Sequence, residues 1–450
     1  MDNKSKQKSS ANIYQIVWRW HFYAGIIFAP FLLILAITGA IYLFKPQIEG
    51  VLYEDYYNVI EQGEKLAPSE HIESVLDQFP EAQITSYRPG EERTRSAEVK
   101  ISLNGESYTI FVNPYTADII GKLNEKDRFI DRVEEFHGEL MIGTVGDRIV
   151  ELAACWTLLL VITGLYIWFP KTKKSPFGVI FPRFKKNKRI LFRDLHAVSG
   201  AWLSLAIIFL VITGLLWSGF WGTKVQNLTT NAGIGYPPSI WVGSAPESTI
   251  QTKDIADVPW SAQTMPVPSS DQYGGFVPIS IDDVVRITND ENIYPTYEVI
   301  YPSSPEGVFT ISVFPPKAKD EATLHIDQYT GAILADYRYE NYKPLGKLMA
   351  WGITVHKGLE YGVMNQIIGL IVCMGIVLLV ISGLIMWWKR KPNNRLGAPT
   401  GPSIITKKRV TILLLLFSFV FPLVGLSVIF VFVLDWLILR RIPRLKQFFY

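Results

Sequence analysis

Long apolar runs alternate with long polar segments along this chain. Runs long enough to cross a bilayer fall at about 22–44, 149–169, 197–221 and 365–388, with a longer one at 410–439. Trp18/Trp20, Trp168, Trp217/Trp221 and Trp387/Trp388 flank them, as interfacial aromatic belts do. The pattern predicts an integral membrane α-helical bundle of four core helices plus a fifth, C-terminal one. Pro422 and Gly425 interrupt the fifth run, and Arg440, Arg441 and Arg444 follow it. It is therefore a kinked span or a re-entrant hairpin; each half is short for a hairpin, which favours the span.

The polar segments carry a different periodicity. Ala97–Leu103 and Tyr108–Val112 alternate as strands around Asn104-Gly105, a hairpin-turn signal. Pro114-Tyr115-Thr116-Ala117-Asp118-Ile119-Ile120-Gly121 follows. The second polar segment repeats this: strands at 296–301 and 308–314, joined by Ser303-Ser304-Pro305-Glu306-Gly307, are followed by Gln328-Tyr329-Thr330-Gly331-Ala332-Ile333-Leu334. Helical patterns at 68–79 and 281–289 precede the strands, so each segment reads as a small α+β outer domain. The Pro-, Gly- and Ser-rich stretch 231–275 reads as an irregular linker or lid.

The membrane segments also repeat. His21 and Gly25 lead to Thr38-Gly39 at the spacing with which His196 and Gly200 lead to Thr213-Gly214. His137 and Gly143 lead to Thr163-Gly164 and Trp168 as His356 and Gly362 lead to Ser382-Gly383 and Trp387. Four of the six histidines thus occupy repeat-equivalent positions, and the chain reads as a tandem duplication. The order is a terminus at 1–21, a helix at 22–44, outer domain one at 45–136, and a helix with its histidine segment at 137–169. A basic loop at 170–194 leads to a helix at 195–221, outer domain two at 222–350 and a helix with its histidine segment at 351–388. A loop at 389–409, the fifth run at 410–439 and a basic tail at 440–450 complete it.

Composition and charge sharpen the class. The chain has 450 residues, 49% of them hydrophobic and only 19% charged. Its net charge of +3 says less than where the cations fall: the N-terminus, the 170–194 loop and the 389–409 loop. The positive-inside rule places all three in the cytoplasm and the polar segments outside. The basic start and long first run read as an uncleaved anchor. Cys155 and Cys373 lie inside apolar runs and read as packing residues, so no disulfide framework is expected.

A helix and strands ending in Tyr-Thr-Gly-Ala-Ile-Leu, set between His…Thr-Gly membrane helices, resemble the PepSY-associated transmembrane family over nearly the whole length. The first outer segment departs from the pattern, with Ala117-Asp118 where the second has Gly331-Ala332. The resemblance implies PepSY-like outer domains on a bacterial inner-membrane protein, of the kind represented by iron-regulated membrane proteins and haem-containing ferric-siderophore reductases.

The histidines fit that chemistry on their own terms. Ionisable side chains in membrane helices are costly and mark function. Neutral imidazole is an axial ligand for haem iron, and a helix bundle clamps a haem between facing helices. Depth pairs His21 with His196 near the cytoplasmic face and His137 with His356 near the outer face. Two non-covalent bis-His haem b sites follow, since no Cys-x-x-Cys-His motif occurs. Gly25, Gly39, Gly164, Gly200, Gly214 and Gly383 would admit close approach of a macrocycle or of a neighbouring helix. Arg19, Arg132, Arg148 and Arg193 could pair with haem propionates or follow the positive-inside rule. His71 and His325 do not match across the repeat and read as solvated.

Nothing in the chain suggests a flavin, nicotinamide or phosphate site, a nucleic-acid surface, or a serine or cysteine catalytic constellation. The expected function is a transmembrane oxidoreductase that passes electrons from quinol or a separate cytoplasmic donor to a ferric siderophore or other ferric chelate outside. A non-enzymatic binding or regulatory protein and a transporter are the competing classes. The four core helices carry no acidic residue at mid-membrane, as a transporter would be expected to.

Overall fold

Backbone polar groups in a lipid core must be satisfied within the segment that carries them, so the apolar runs become helices. The computed structural model describes residues 2–170, 176–231, 250–270, 277–393, 395–398, 415 and 417–449. In chain order the helices are α1 (Asp2–Tyr42), α2 (Lys45–Leu52), α3 (Glu54–Tyr57), α4 (Pro68–Gln78), α5 (Phe129–Glu139), α6 (Thr144–Trp168) and α7 (Lys188–Leu215). After them come α8 (Trp221–Asn231), α9 (Ile281–Asp290), α10 (Pro344–His356), α11 (Val363–Arg390), α12 (Pro422–Leu434) and α13 (Pro443–Phe449). Contacts divide the chain into Met1–Ile41 with Glu135–Gly222 and Ile367–Tyr450, and Tyr42–Glu134 with Thr223–Gln366.

The first unit holds the apolar helices. Among the described residues five are long and apolar enough to cross a membrane: Ile13–Tyr42, Thr144–Trp168, Lys188–Leu215, Val363–Arg390 and Pro422–Leu439. Four of them, all but Val363–Arg390, share one core cluster of Ala24, Phe28, Ala153, Cys155, Trp156, Leu158, Leu215 and Val424. Trp156 stacks against Trp20 and Phe28 with ring centroids 6.1 and 5.6 Å apart, and its Nε1 donates to Ser427 Oγ at 3.0 Å. Trp202, Leu205, Ile371 and Met374 remain exposed, as lipid-facing positions do. Trp168 and Trp387, repeat-equivalent, each donate Nε1 to a carbonyl of the loop that follows, Val179 at 3.0 Å and Leu396 at 2.9 Å.

The fifth run departs from the expected single span. A Cβ on Gly425 would lie 2.9 Å from Ser418 Cβ, whereas seven residues of continuous helix rise about 10 Å. The chain therefore folds back at Phe421-Pro422, where the prolyl nitrogen cannot continue a helix. Phe421 stacks on Trp221, beyond the C-terminal end of α7. At the far end, the Phe449 carbonyl accepts from Tyr23 Oη and the Phe448 carbonyl from Leu396 N. The basic tail thus returns to the end of the bundle that carries Arg390 over the Trp18 ring. Residues 399–414, where the run begins, lie outside the described residues, as do Lys171, Lys173 and Lys174.

The second unit corrects the expectation of two separate sheets. Its strands are β1 (Gln83–Arg88), β2 (Ala97–Leu103), β3 (Glu106–Val112), β4 (Ile119–Asn124), β5 (Glu298–Ile300), β6 (Val308–Val313), β7 (Ala322–Asp327) and β8 (Ile333–Arg338). They form one antiparallel sheet of eight strands in the order β4-β3-β2-β1-β5-β6-β7-β8, joined where Ser86 and Tyr87 face Ile300 and Val299. One face, with Tyr87, Val99, Ile101, Ile110, Val299, Ile311, Leu324 and Ile326, packs against Ile72 and Val75 of α4 and Ile281 and Val284 of α9. The two helices are tied by Ser69, whose N and Oγ donate to the Asp282 carboxylate at 2.9 and 2.7 Å.

The strand equivalence also differs from the one expected. The Asn104-Gly105 hairpin joins β2 to β3, both turn residues having positive φ. Its counterpart is the β6–β7 connection through Pro315-Pro316, not the 303–307 turn, and residues 296–301 correspond to β1. The turns after β3 and β7 coincide in detail. Ala117 N donates to Asn113 O at 2.9 Å as Gly331 N donates to Asp327 O at 3.0 Å, and both residues have positive φ.

The opposite sheet face is polar yet covered. Tyr53, Tyr56 and Tyr57 lie over Phe111, and residues 250–268 cover the second half, with Ser312 Oγ donating to the Asp257 carbonyl at 2.6 Å. Residues 232–249 and 271–276 of the expected linker lie outside the described residues. The expectation for two histidines fails: His71, on the α4 side of the sheet, is 2% exposed, and His325, beneath the cover, 0%. His71 bonds Tyr87 Oη at 2.9 Å and the Pro114 carbonyl at 3.2 Å, and His325 bonds Thr310 Oγ1 at 3.0 Å. Burial pushes the His325 imidazole down to about 3, so it is neutral core.

Candidate functional site

His21 lies one helical turn before Gly25 on the same face of α1, and both meet α6. His21 Nδ1 is 2.9 Å from Thr163 Oγ1, and a Cβ on Gly164 would lie 3.2 Å from His21 Cε1. Gly25 faces Leu160, one turn before Thr163. The second repeat builds the same contact between α7 and α11. His196 Nδ1 donates to the Leu379 carbonyl at 2.9 Å with Ser382 Oγ at 3.5 Å, and a Cβ on Gly383 would lie 3.3 Å from His196 Cε1. Gly200 faces Leu379. Gly164 and Gly383 therefore each seat an imidazole ring. The residue before it supplies the hydroxyl beside the ring.

The two rings then face each other across the bundle. The His21 and His196 centroids are 6.1 Å apart, with ring planes at 82°. A metal ion bound at about 2 Å by each of two imidazoles separates the ring centroids by roughly 6 Å. Nδ1 is engaged in both residues, and the Leu160 backbone also bonds the His21 ring as the Leu379 carbonyl bonds that of His196. A carbonyl only accepts, so His196 Nδ1 carries the hydrogen and its Nε2 keeps the lone pair. An imidazole whose far N–H is held by an acceptor is the usual form of a metal-ligating histidine.

His137 stands at the other end of α1. It lies on α5, and the chain turns through Leu140, Met141 and Gly143, all at positive φ, before α6 begins. Its Nδ1 is 2.8 Å from Thr38 Oγ1, and a Cβ on Gly39 would lie 3.3 Å from its Cε1. From His21 to Thr38 the helix rises about 25 Å at 1.5 Å per residue. His356 ends α10 in the second unit, and Gly358 and Gly362 turn the chain into α11 as Gly143 does into α6.

The four arginines flanking the histidines are placed unequally. Arg193 is held by Asp194 at 2.6 Å, and Arg148 contacts Asp147 and Glu151. Arg19 Nη2 donates to Tyr23 Oη at 3.2 Å, and Arg132 lies on α5. Sequence reasoning missed Asp194, fully buried two residues before His196 and gripped by Arg183 through Nε at 2.7 Å and Nη2 at 3.0 Å. Arg183 lay hidden in the count of loop cations. It also missed Thr38, Thr163 and Ser382 as partners of the rings. Their signal was the exact repeat spacing that had marked them as landmarks.

Residues 18–390 match the family model described as the PepSY-associated TM region. The chain belongs to that family. The matched span contains all four repeat histidines and their Thr-Gly or Ser-Gly partners and ends at the last residue of α11, so α12 and α13 lie beyond it. No curated protein matches the sequence. The family membership and the five apolar helices make this a multi-pass membrane protein with a sheet-bearing polar portion.

Proposed function

We propose that this PepSY-associated TM-region protein binds two b-type haems between its membrane helices and carries electrons across the bacterial inner membrane to a ferric chelate outside. The observation that carries the proposal is the His21–His196 pair. Two imidazoles from two helices stand 6.1 Å apart, each engaged through Nδ1 by the helix behind it. His137, set against Thr38 in the same manner, supports a second site with His356, its repeat equivalent. The basic loops support a cytoplasmic assignment for the His21–His196 end.

Haem so ligated supplies a one-electron carrier at each site. The chain's residues supply the rest. His21 and His196 would hold one haem, Gly164 and Gly383 let the rings settle against the neighbouring helices, and Trp20, Phe28 and Trp156 pack the adjacent bundle core. The polar unit would hold the chelate. Hard oxygen donors favour the ferric ion, so reduction to the ferrous state loosens the complex and frees the metal. The electron donor is quinol or a separate cytoplasmic protein.

A reduced-minus-oxidised absorption spectrum of the purified full-length protein in nanodiscs tests the proposal. A Soret band, and an alpha band that sharpens on reduction by an added donor and fades on adding a ferric hydroxamate, are the expected results. Colourless, folded protein from haem-replete cells would return the chain to the binding or transport classes.

A further inference from the structure

The loop between α6 and α7 doubles back along the helix it feeds. It enters α7 at Lys188, yet Arg183 N, Nε and Nη2 donate to the Asp194 carboxylate at 3.1, 2.7 and 3.0 Å, and the Ile180 carbonyl accepts from Trp202 Nε1 at 3.0 Å. From Asp194 to Trp202 the helix rises about 12 Å, and the three loop residues from Arg183 back to Ile180, if extended, cover about 10 Å. The loop therefore climbs the flank of α7 into the span Lys188–Leu215. On its other side Trp168 Nε1 holds the Val179 carbonyl. Gly178 turns the tip at φ +87°, and the Arg183 guanidinium fills the space where a Cβ would stand, 2.6 Å away. The N–H groups of the tip are all bonded within it. Gly178 N donates to Phe181 O at 2.6 Å, and Val179, Ile180 and Phe181 donate to Pro176 O at 3.2, 2.8 and 3.2 Å. A solvated loop does not need that closure; a backbone in lipid does.

The side chains sort into two belts. Phe177, Ile180, Phe181 and Phe184 are exposed, beside Trp202 at 70%. Lys185, Lys186, Lys188 and Arg189 follow, also exposed, and none of them has an ion pair among the described residues. Arg183 and Arg193 are the cations that Asp194 takes. We propose that residues 176–189 form a lipid-inserted hairpin: the phenylalanine tip enters the acyl chains at the His196 end of the bundle, and Lys185, Lys186, Lys188 and Arg189 bind the phosphate of an anionic phospholipid. An apolar tip beside a cationic base matches the order in which a leaflet presents acyl chains and phosphates. Asp194, buried between two arginines, pins the hairpin to α7. The inference does not depend on haem.

Two measurements on the full-length protein test it. The first places a nitroxide on Phe181→Cys in nanodiscs; Cys155 and Cys373 are buried and out of the label's reach. Its collisions with oxygen and with a water-soluble nickel chelate are compared with those of labels at Leu205→Cys, exposed on the α7 span, and Val277→Cys, exposed on the polar unit. Insertion predicts values near those of Leu205→Cys, and values near those of Val277→Cys overturn it. The second is native mass spectrometry of protein released from vesicles of phosphatidylcholine with a minority of phosphatidylglycerol. The wild type should retain phosphatidylglycerol beyond its share of the vesicle. Lys185→Gln, Lys186→Gln, Lys188→Gln and Arg189→Gln together should lower that enrichment about tenfold or more. The charge-keeping set Lys185→Arg, Lys186→Arg and Lys188→Arg should preserve it. Lipids retained in the bulk ratio by the wild type, or enrichment unchanged in the glutamine variant, overturn the headgroup assignment.

Discussion

The imidazole rings of His21 and His196 stand 6.1 Å apart and nearly perpendicular, each backed by a glycine of a different helix. These residues come from the two halves of the repeat, so the contact ties one half to the other through the groups proposed to do the chemistry. Neither ring is free to drift, because Gly164 and Gly383 leave no slack beneath them.

That fit makes Gly164 sensitive. Alanine there would place Cβ 3.2 Å from His21 Cε1, so the ring must shift by a few tenths of an ångström. Gly164→Ala should lower haem content or broaden the low-spin spectrum of one site. Gly25→Ala, whose Cβ would lie 3.9 Å from Leu160, should leave the absorption spectrum unchanged.

The seam of the sheet is ionic. Glu298 of β5 receives Lys100 Nζ at 2.9 Å and Arg88 Nη2 at 3.8 Å, both from the first half. Against the upward push of burial, these cations hold the Glu298 carboxyl down to about 2. A depressed carboxyl stabilises the fold above its unfolded pKa and loses that contribution as pH falls through its folded one. Stability should therefore decline between pH 4.5 and about 2, followed by calorimetry of the full chain. Glu298→Gln should cost about 2 kcal/mol at neutral pH, less than the roughly 3–5 of a fully buried pair, because Arg88 and Lys100 remain partly wet.

Glu321 predicts the opposite slope. Burial pushes its carboxyl up to about 8, with only Ser261 Oγ at 3.3 Å and the more distant Lys357 to favour the charged form. A raised carboxyl stabilises below its unfolded pKa and loses that contribution as pH rises through its folded one. Thermal stability should fall from pH 4.5 toward pH 8, and Glu321→Gln should flatten that part of the profile. An unchanged profile in the variant would mean that the carboxyl is ionised in the fold.

Ala117 is strained. It holds φ at +58°, where its counterpart Gly331 holds +71°. Ala117→Gly should raise stability by about 1 kcal/mol by removing the Cβ penalty of the left-handed region. Gly331→Ala should lower it by at least as much, since its Cβ would also lie 3.0 Å from Ile287 Cδ1. Chemical denaturation of both variants checks the pair.

The membrane helices and their histidines were legible because lipid imposes a uniform apolar code that any ionisable residue interrupts. The alternation of β2 and β3 and the Asn104-Gly105 turn were legible for the same kind of reason, a strict local period. The single eight-stranded sheet was not. β1, β2, β6 and β7 carry buried polar residues such as Ser86, Glu98, Thr310, Thr323 and His325 on a face that looks solvated in sequence. Only the cover by Tyr53, α3 and residues 250–268, far away in the chain, makes it interior. The fold-back at Pro422 was hidden because a proline marks a break without telling the angle. The threonines were seen and misjudged: spacing marked Thr38 and Thr163, but hydrogen-bond direction requires the neighbouring helix.

The most direct measurement is the low-spin electron paramagnetic resonance signal of the full-length protein in nanodiscs, with His21→Ala and His196→Ala made singly and together. A shared bis-histidine site predicts two low-spin species in the wild type and loss of the same one in either single variant. The double variant should lose little more, because the two ligands act as a unit. Loss of different species in the two single variants would contradict the pairing, and both species surviving in all three variants would contradict ligation by these histidines.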